Sequence, residues 1–442
     1  MIVKDEEKYI RGCLESVQDI VDQIIIIDTG SNDKTVKIAK EFGCEVYNFT
    51  WVEDFSKARN ESIKHATGDW ILWLDADERL MTSSQNELLS LLKIETKPVI
   101  YKVQINSIIN NGKSTRLSSA HRLFTNNKGI YFTGNIHEQI SESAVIVGAE
   151  ERNSHIILEH LGYNLGEEDQ EKKDKRNLKM LQKTVKSNPQ NAYAHFTLAQ
   201  QYGLMKDWQK ALTHYNIAER KNQFDNAMIV SLLNTKAEAL FYLNEFGQAK
   251  ECCNRSIKIE SMQVGAYYIL YRITDVNNDT EQAIKYLNII LENSQKLKKQ
   301  SKTISTDVII GEEQIMSALA MNYLKINKIE DAINYFNLIL NINSGNLEIR
   351  EKLIEIYLQN AKYTEIIPHL IYTINQFPEE EKYKELLGTV FIKKQEFHEA
   401  IKIYESLVIQ NPHNQNSLKK LVGLYGKTGE LHKANKLMQA IS

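Results

Sequence analysis

Two carboxylates one residue apart, Asp75 and Asp77, close the apolar run Trp70-Ile-Leu-Trp-Leu. Such a run reads as a buried strand, and open α/β sheets bind their ligands at the carboxyl ends of strands. Paired carboxylates there can hold a hard divalent cation, and that cation can hold a diphosphate. Alone, Asp-X-Asp is also an ordinary strand-capping turn, so its surroundings decide its meaning. Asp28 ends a second apolar run, Ile24 to Ile27, and opens the turn Thr29-Gly-Ser-Asn-Asp33. A cap of that turn is the plain alternative for Asp28. Arg59-Asn60 lie on a helical stretch ahead of Asp75, where Arg59 suits a phosphate or a structural ion pair equally. Farther on stand Arg122-Leu-Phe124, Gly134-Asn-Ile-His137-Glu138, and His155 and His160 before Gly162-Tyr163.

These residues need a scaffold, and the first part of the chain supplies an α/β one. Short apolar runs (Ile24–Asp28, Glu45–Phe49, Trp70–Asp75) alternate with helical stretches, as in a βαβ arrangement of buried parallel strands. After Val99 the segments Val99–Ile109, His121–Thr125, Ile130–Thr133 and Ile156–His160 are strand-like without long helices. They predict an appended, more antiparallel part of the sheet. The second part is a repeat. Ala211, Ala249, Ala283, Ala332, Ile366, Ala400 and Ala434 share one frame, and the last three intervals are each 34 residues. Around Ala400 stand Leu387, Gly388, Phe391, Tyr404 and Leu407, with counterparts Leu198, Ala199, Tyr202, Tyr215 and Ala218 around Ala211. The period and the small residues at helix contacts resemble the tetratricopeptide repeat. The 49-residue gap from Ala283 to Ala332 predicts an insertion near Lys296–Thr306.

In their order and spacing, Ile2-Val-Lys-Asp-Glu-Glu7, Ile25–Thr35, Trp51–Asn60 and Gly68–Asp77 resemble the family 2 glycosyltransferases, inverting enzymes of GT-A fold. With the repeat array behind them they are similar to the subgroup that includes the S-glycosyltransferases of glycocin biosynthesis, the sublancin type. The resemblance implies a GT-A, Rossmann-like nucleotide-diphospho-sugar transferase domain over 1–165. A linker helix over 166–190 and an all-α tetratricopeptide-repeat superhelix of about seven helix pairs over 191–442 would follow. It implies a UDP-sugar donor, UDP-glucose or UDP-GlcNAc, with Mg²⁺ or Mn²⁺. Asp28, Arg59, Asp75 and Arg122 would bind the donor, and Asp77 and His160 the metal. Glu138 would be the base that takes the acceptor proton, oriented by His137. A thiol acceptor, whose free pKa is about 8.5, would need that base less. In the family the first strand begins several residues before the segment matching Met1–Lys4, so here it is expected to be cut short, with the base pocket incompletely lined.

Composition agrees with this plan. Five prolines in 442 residues favour long helices. Residues 1–165 carry 18 Lys/Arg against 24 Asp/Glu, a net −6, and the remainder is +3, so no basic footprint of a nucleic-acid binder exists. Four cysteines without metal-ligand spacing fit a reduced, cytoplasmic protein, and neither a signal peptide nor an 18-residue apolar run is present. The array offers a groove for a peptide or protein acceptor. Seven Lys/Arg between Glu167 and Lys186 make either a basic surface for an acidic partner or the solvated side of a linker helix. Leu421, Leu424, Tyr425 and Met438 form either an apolar surface through which two copies pair or the core of the last repeat. Two other readings stand beside the peptide transferase: an enzyme acting on a cell-envelope polysaccharide, and a non-catalytic interaction scaffold with a degenerate nucleotide-binding domain.

Overall fold

The computed structural model describes residues 1–109, 114–136, 138–161, 167–300 and 311–441. Three short strands, β1 (Ile2–Val3), β2 (Ile25–Asp28) and β3 (Glu45–Asn48), pair in parallel in the order β1-β2-β3. Helices α1 (Ile10–Glu15) and α2 (Thr35–Glu41) connect them, burying Ile10, Leu14, Ile38 and Ala39 against Val3 and Ile26. Helix α3 (Phe55–His65) starts where Asp54 accepts the Lys57 N–H at 3.1 Å.

The second sheet departs from the expected parallel continuation. Strand β4 covers only Trp70–Leu72 and pairs antiparallel with β7 (Ser114–Thr125). The full order is β4-β7-β6-β8-β5, with β5 at Glu78–Leu80, β6 at Val99–Ile109 and β8 at Glu150–His160. Asp75 and Asp77 therefore lie in the turn between β4 and β5. The reason is local: the Asp75 N–H goes to the Glu78 carboxylate at 3.0 Å, which takes it out of the ladder. Ile130–Thr133 forms no strand. Ile130 and Phe132 instead pack on Phe124 and Ile140, and Thr133 makes a lone bridge to Gln139. Helix α4 (Thr82–Leu91) covers the sheet through Leu88. A short α5 (Ser141–Ile146) precedes β8.

From Glu167 the described chain is helical, starting with the 21-residue α6 (Glu167–Ser187). By compactness one unit takes Met1–Asn278 with Glu292–Gly311, and the other takes Asp279–Leu291 with Glu312–Ser442. In the first, α6 and the helices α7 (Ala192–Leu204) and α8 (Trp208–Lys221) share a core with the α/β part. Met180, Leu181, Phe196, Leu198 and Tyr202 pack with Ile136, Trp51 and Phe55. Helices α9 (Asn226–Tyr242), α10 (Phe246–Ile259) and α11 (Gly265–Val276) follow, and α12 (Thr280–Gln300) runs long where the insertion was expected. The rest of that expected insertion, 301–310, lies outside the described residues.

In the second unit, four antiparallel pairs carry the repeat frame: α13 and α14 (Glu312–Lys325, Ile329–Ile342), α15 and α16 (Leu347–Gln359, Tyr363–Gln376), α17 and α18 (Glu381–Lys393, Phe397–Gln410), α19 and α20 (Gln415–Thr428, Leu431–Ile441). Ala332, Ile366 and Ala400 are completely buried where paired helices touch. Leu421, Leu424 and Tyr425 belong to the core of the last repeat, while Met438 is exposed. No described helix is long and apolar enough to cross a membrane. A Cβ on Gly388 would come within 2.6 Å of the Tyr404 ring, which is wholly buried and cannot yield. Alanine gains about 1 kcal/mol of helix propensity, but overpacking costs about 1–3 kcal/mol. Gly388→Ala is therefore expected to lower the stability of this unit, and a melting temperature equal to or above the parent's would contradict that.

Candidate active site

The loops after β1 and β2 are laced together. Asp5 accepts the Asn32 N–H at 2.7 Å, Asp33 accepts the Glu7 N–H at 2.9 Å, and Glu7 accepts the Lys34 N–H at 3.1 Å. Asp5 pays for its place with a left-handed backbone, φ 56°. Asp28 is buried, and its carboxylate accepts the Ser31 N–H at 3.0 Å. It caps the turn behind the cleft and does not line it.

The turn bearing Asp75 and Asp77 is held from below by two arginines. Arg59 Nη2 donates to Asp75 at 3.0 Å, and Arg59 Nε pairs with Glu138. Arg122 Nη2 donates to Glu78 at 2.6 Å and lies 3.4 Å from Asp75. The Trp73 ring sits against both guanidinium groups, at 3.9 Å and 3.8 Å from their Cζ atoms. Burial opposes ionisation of Asp75, yet the two guanidinium groups outweigh it and hold the carboxyl well below the usual carboxylate range. Asp75 is thus fixed as an anion, with its orientation set before any ligand arrives.

Asp77 is placed differently. Glu78 pairs with His160 in the β5–β8 register, which brings the His160 ring beside the turn. His160 Nε2 lies 3.1 Å from Asp77 Oδ2. Burial alone would lower the imidazole pKa, but Asp77 raises it overall. His155, five residues earlier, presents its backbone N–H to Glu87 and its side chain is exposed. His137 and Gly162-Tyr163 lie outside the described residues.

These groups surround a cleft of about 830 Å³ lined by Lys4, Glu6, Thr29, Arg59, Asp75, Asp77, Glu138 and His160. Of the expected donor-binding residues, Arg59 and Asp75 line it. Asp28 and Arg122 do not: the Asp28 carboxylate accepts the Ser31 N–H, and Arg122 pairs with Glu78 through Nη2. Glu138 lines the cleft, but its side chain is buried and tied to Arg59. The expected base is thus placed as a partner of Arg59.

Sequence reasoning passed over Glu78 and Glu6. Glu78 is 1% exposed and alternates inward with Leu80, so a carboxylate at a core-facing strand position was the available signal that a buried cation must meet it. Glu6 carried no such signal. Burial, with Asp77 and Asp75 beside it, pushes its carboxyl up to about 7.

Residues 1–148 match the family described as Glycosyl transferase family 2. A TPR repeat-containing protein of Synechococcus elongatus is 36% identical over 199 residues, 44% of this chain and 49% of that one. The SPbeta prophage-derived glycosyltransferase SunS of Bacillus subtilis is 26% identical over 349 residues, 70% of this chain and 80% of that one. An uncharacterized glycosyltransferase of Rickettsia bellii is 31% identical over 152 residues, 33% of this chain and 51% of that one. This chain spans about half the length of the first and third of these relatives. The parallel strands, the Asp-X-Asp turn at the cleft and these likenesses agree: residues 1–148 match the family 2 glycosyltransferases, and helix pairs with the frame of the tetratricopeptide repeat follow them.

Proposed function

We propose that this chain is an inverting glycosyltransferase that moves a hexose from a UDP-sugar, UDP-glucose or UDP-GlcNAc, to a peptide or protein acceptor presented by the repeat array. The observation that carries the reading is the pairing of one fixed carboxylate, Asp75, with a second, Asp77, that touches His160 in the same cleft. Asp77 and His160 suit Mn²⁺ or Mg²⁺. Such ions usually keep water and take phosphate oxygens in their remaining positions, so Asp77 and His160 would hold the ion beside the donor diphosphate. When bound, the ion would supply positive charge to the departing diphosphate. Asp75 orients the sugar or ribose, and Arg59 and Arg122 keep it charged and still. The likeness to the glycosyltransferase SunS supports sugar transfer, and the repeat array supports a peptide or protein acceptor.

Incubation with UDP-glucose or UDP-GlcNAc, Mn²⁺ and candidate peptides, read by mass spectrometry, tests the reaction. Turnover of neither donor, together with unchanged donor binding by Asp77→Ala, would sink the reading. The same assay locates Glu138. A general base contributes about 10²–10⁴-fold, whereas glutamine can still accept the Arg59 hydrogen bond. Glu138→Gln is expected to lower kcat by less than about tenfold, and a loss of 10²-fold or more would restore Glu138 as the base.

A further inference from the structure

Helix α6 lies beyond residues 1–148, yet its charged face looks into the cleft. Lys172, Lys173 and Arg176 line it together with Asp75, Asp77 and Glu6, and Arg176 follows Lys172 by four residues and Lys173 by three, on the same side of the helix as each. The helix is held firmly in that position. Met180 and Leu181 are buried in the core that Trp51, Phe55 and Ile136 share with α7. Lys179 and Lys183 reach Glu53 at 3.2 and 2.9 Å, and Gln201 donates to Asp174 at 3.1 Å. The Arg176 guanidinium stands 5.5 Å from the Phe55 ring centre, and Lys173 is among the charges felt by Glu6.

Charge decides what this face is for. A divalent cation already held by a carboxylate cannot by itself neutralise a leaving diphosphate. Arg59 already pairs with Asp75 through Nη2 and with Glu138 through Nε. The cations on α6 line the same cleft. We propose that α6 is the phosphate-binding wall of the donor site, with Lys172, Lys173 and Arg176 contacting the diphosphate of the nucleotide sugar and stabilising it as it departs. The inference rests on the donor reading above and extends the donor site out of the family 2 domain into the helix that leads the array.

Calorimetric binding of UDP and of uridine to the full chain, at two salt concentrations, separates the alternatives. The triple variant K172Q/K173Q/R176Q is expected to bind UDP about ten- to a hundredfold more weakly, with a flatter salt dependence and unchanged uridine binding, since charged contacts are both strong and screened. Arg176→Lys should keep most of the affinity. Unchanged UDP binding by the triple variant would overturn the proposal. So would parallel loss of UDP and uridine, which marks a structural role, or a raised peptide KM with UDP unaffected, which marks an acceptor site. If the unaltered chain binds no UDP, the donor reading itself fails and this wall falls with it.

Discussion

Asp77→Ala is expected to lower sugar transfer by about 10²–10³-fold, the range found when one preorganised contact to developing charge is removed. The argument is positional. Both carboxylates are partly exposed in the cleft, but Asp75 is held by two arginines whereas Asp77 touches His160. Asp77 is therefore the carboxylate of the pair that can turn to a ligand, and Asp75 the one that cannot move. Because Asp77 is on the cleft surface, its loss should leave the melting temperature within about 2 °C of the parent, as surface changes usually lie within about 0.5 kcal/mol. His160→Ala should fall between the parent and Asp77→Ala, since a second ligand and phosphate oxygens would remain. Steady-state rates with UDP-glucose or UDP-GlcNAc, alongside melting curves, check both. A variant Asp77→Ala that retained more than half of the parent rate would remove Asp77 from the reaction.

What the sequence made legible follows from which interactions are local. The apolar runs at Ile24 and Trp70, the Asp-X-Asp turn and the repeat frame are short-range patterns, and each marks a real element: β2, β4 with the turn behind it, and the helix pairs with Ala332, Ile366 and Ala400 at their contacts. The pairing of β4 with β7 was hidden, because strand direction depends on partners some fifty residues away. The same holds for the fates of Arg59, Arg122 and Glu138. Their residue types suit phosphate or proton chemistry, and only the three-dimensional packing shows that Arg59 joins Asp75 to Glu138 and that Arg122 is spent on Glu78. The charged stretch Glu167–Lys186 was ambiguous for a related reason. Helical spacing gives a basic face, but what that face meets is set by Met180 and Leu181 docking on the core that includes Trp51 and Ile136.

Arg122→Ala is expected to be the most destabilising single change in the site, by about 3–5 kcal/mol, a large share of the about 5–15 kcal/mol typical of a domain. Arg122 is 7% exposed, stacks on Trp73 and holds Glu78 at 2.6 Å. Its removal leaves a carboxylate that is 1% exposed without its cation, and that carboxylate also receives the Asp75 N–H. The pH dependence has a definite sign. Burial already pushes the Glu78 carboxyl up, and losing Arg122 removes the charge that opposes this shift. A carboxyl whose folded pKa exceeds its unfolded value costs nothing below the unfolded value and costs progressively more as pH rises from there toward the folded one. The penalty should therefore be smaller at pH 5 than at pH 8. Adding Glu78→Gln to Arg122→Ala removes the unpaired charge, and should recover at least half of the lost stability at pH 8. Urea denaturation of the parent and both variants at the two pH values measures this. A loss below about 1 kcal/mol, or a double variant no more stable than Arg122→Ala, would show that the Arg122–Glu78 pair does not carry the turn. The coupling matters for catalysis as well as for folding, because the Asp75 N–H and carboxylate are both anchored through this pair. A loosened Glu78 would release the carboxylate that orients the donor even in molecules that remain folded.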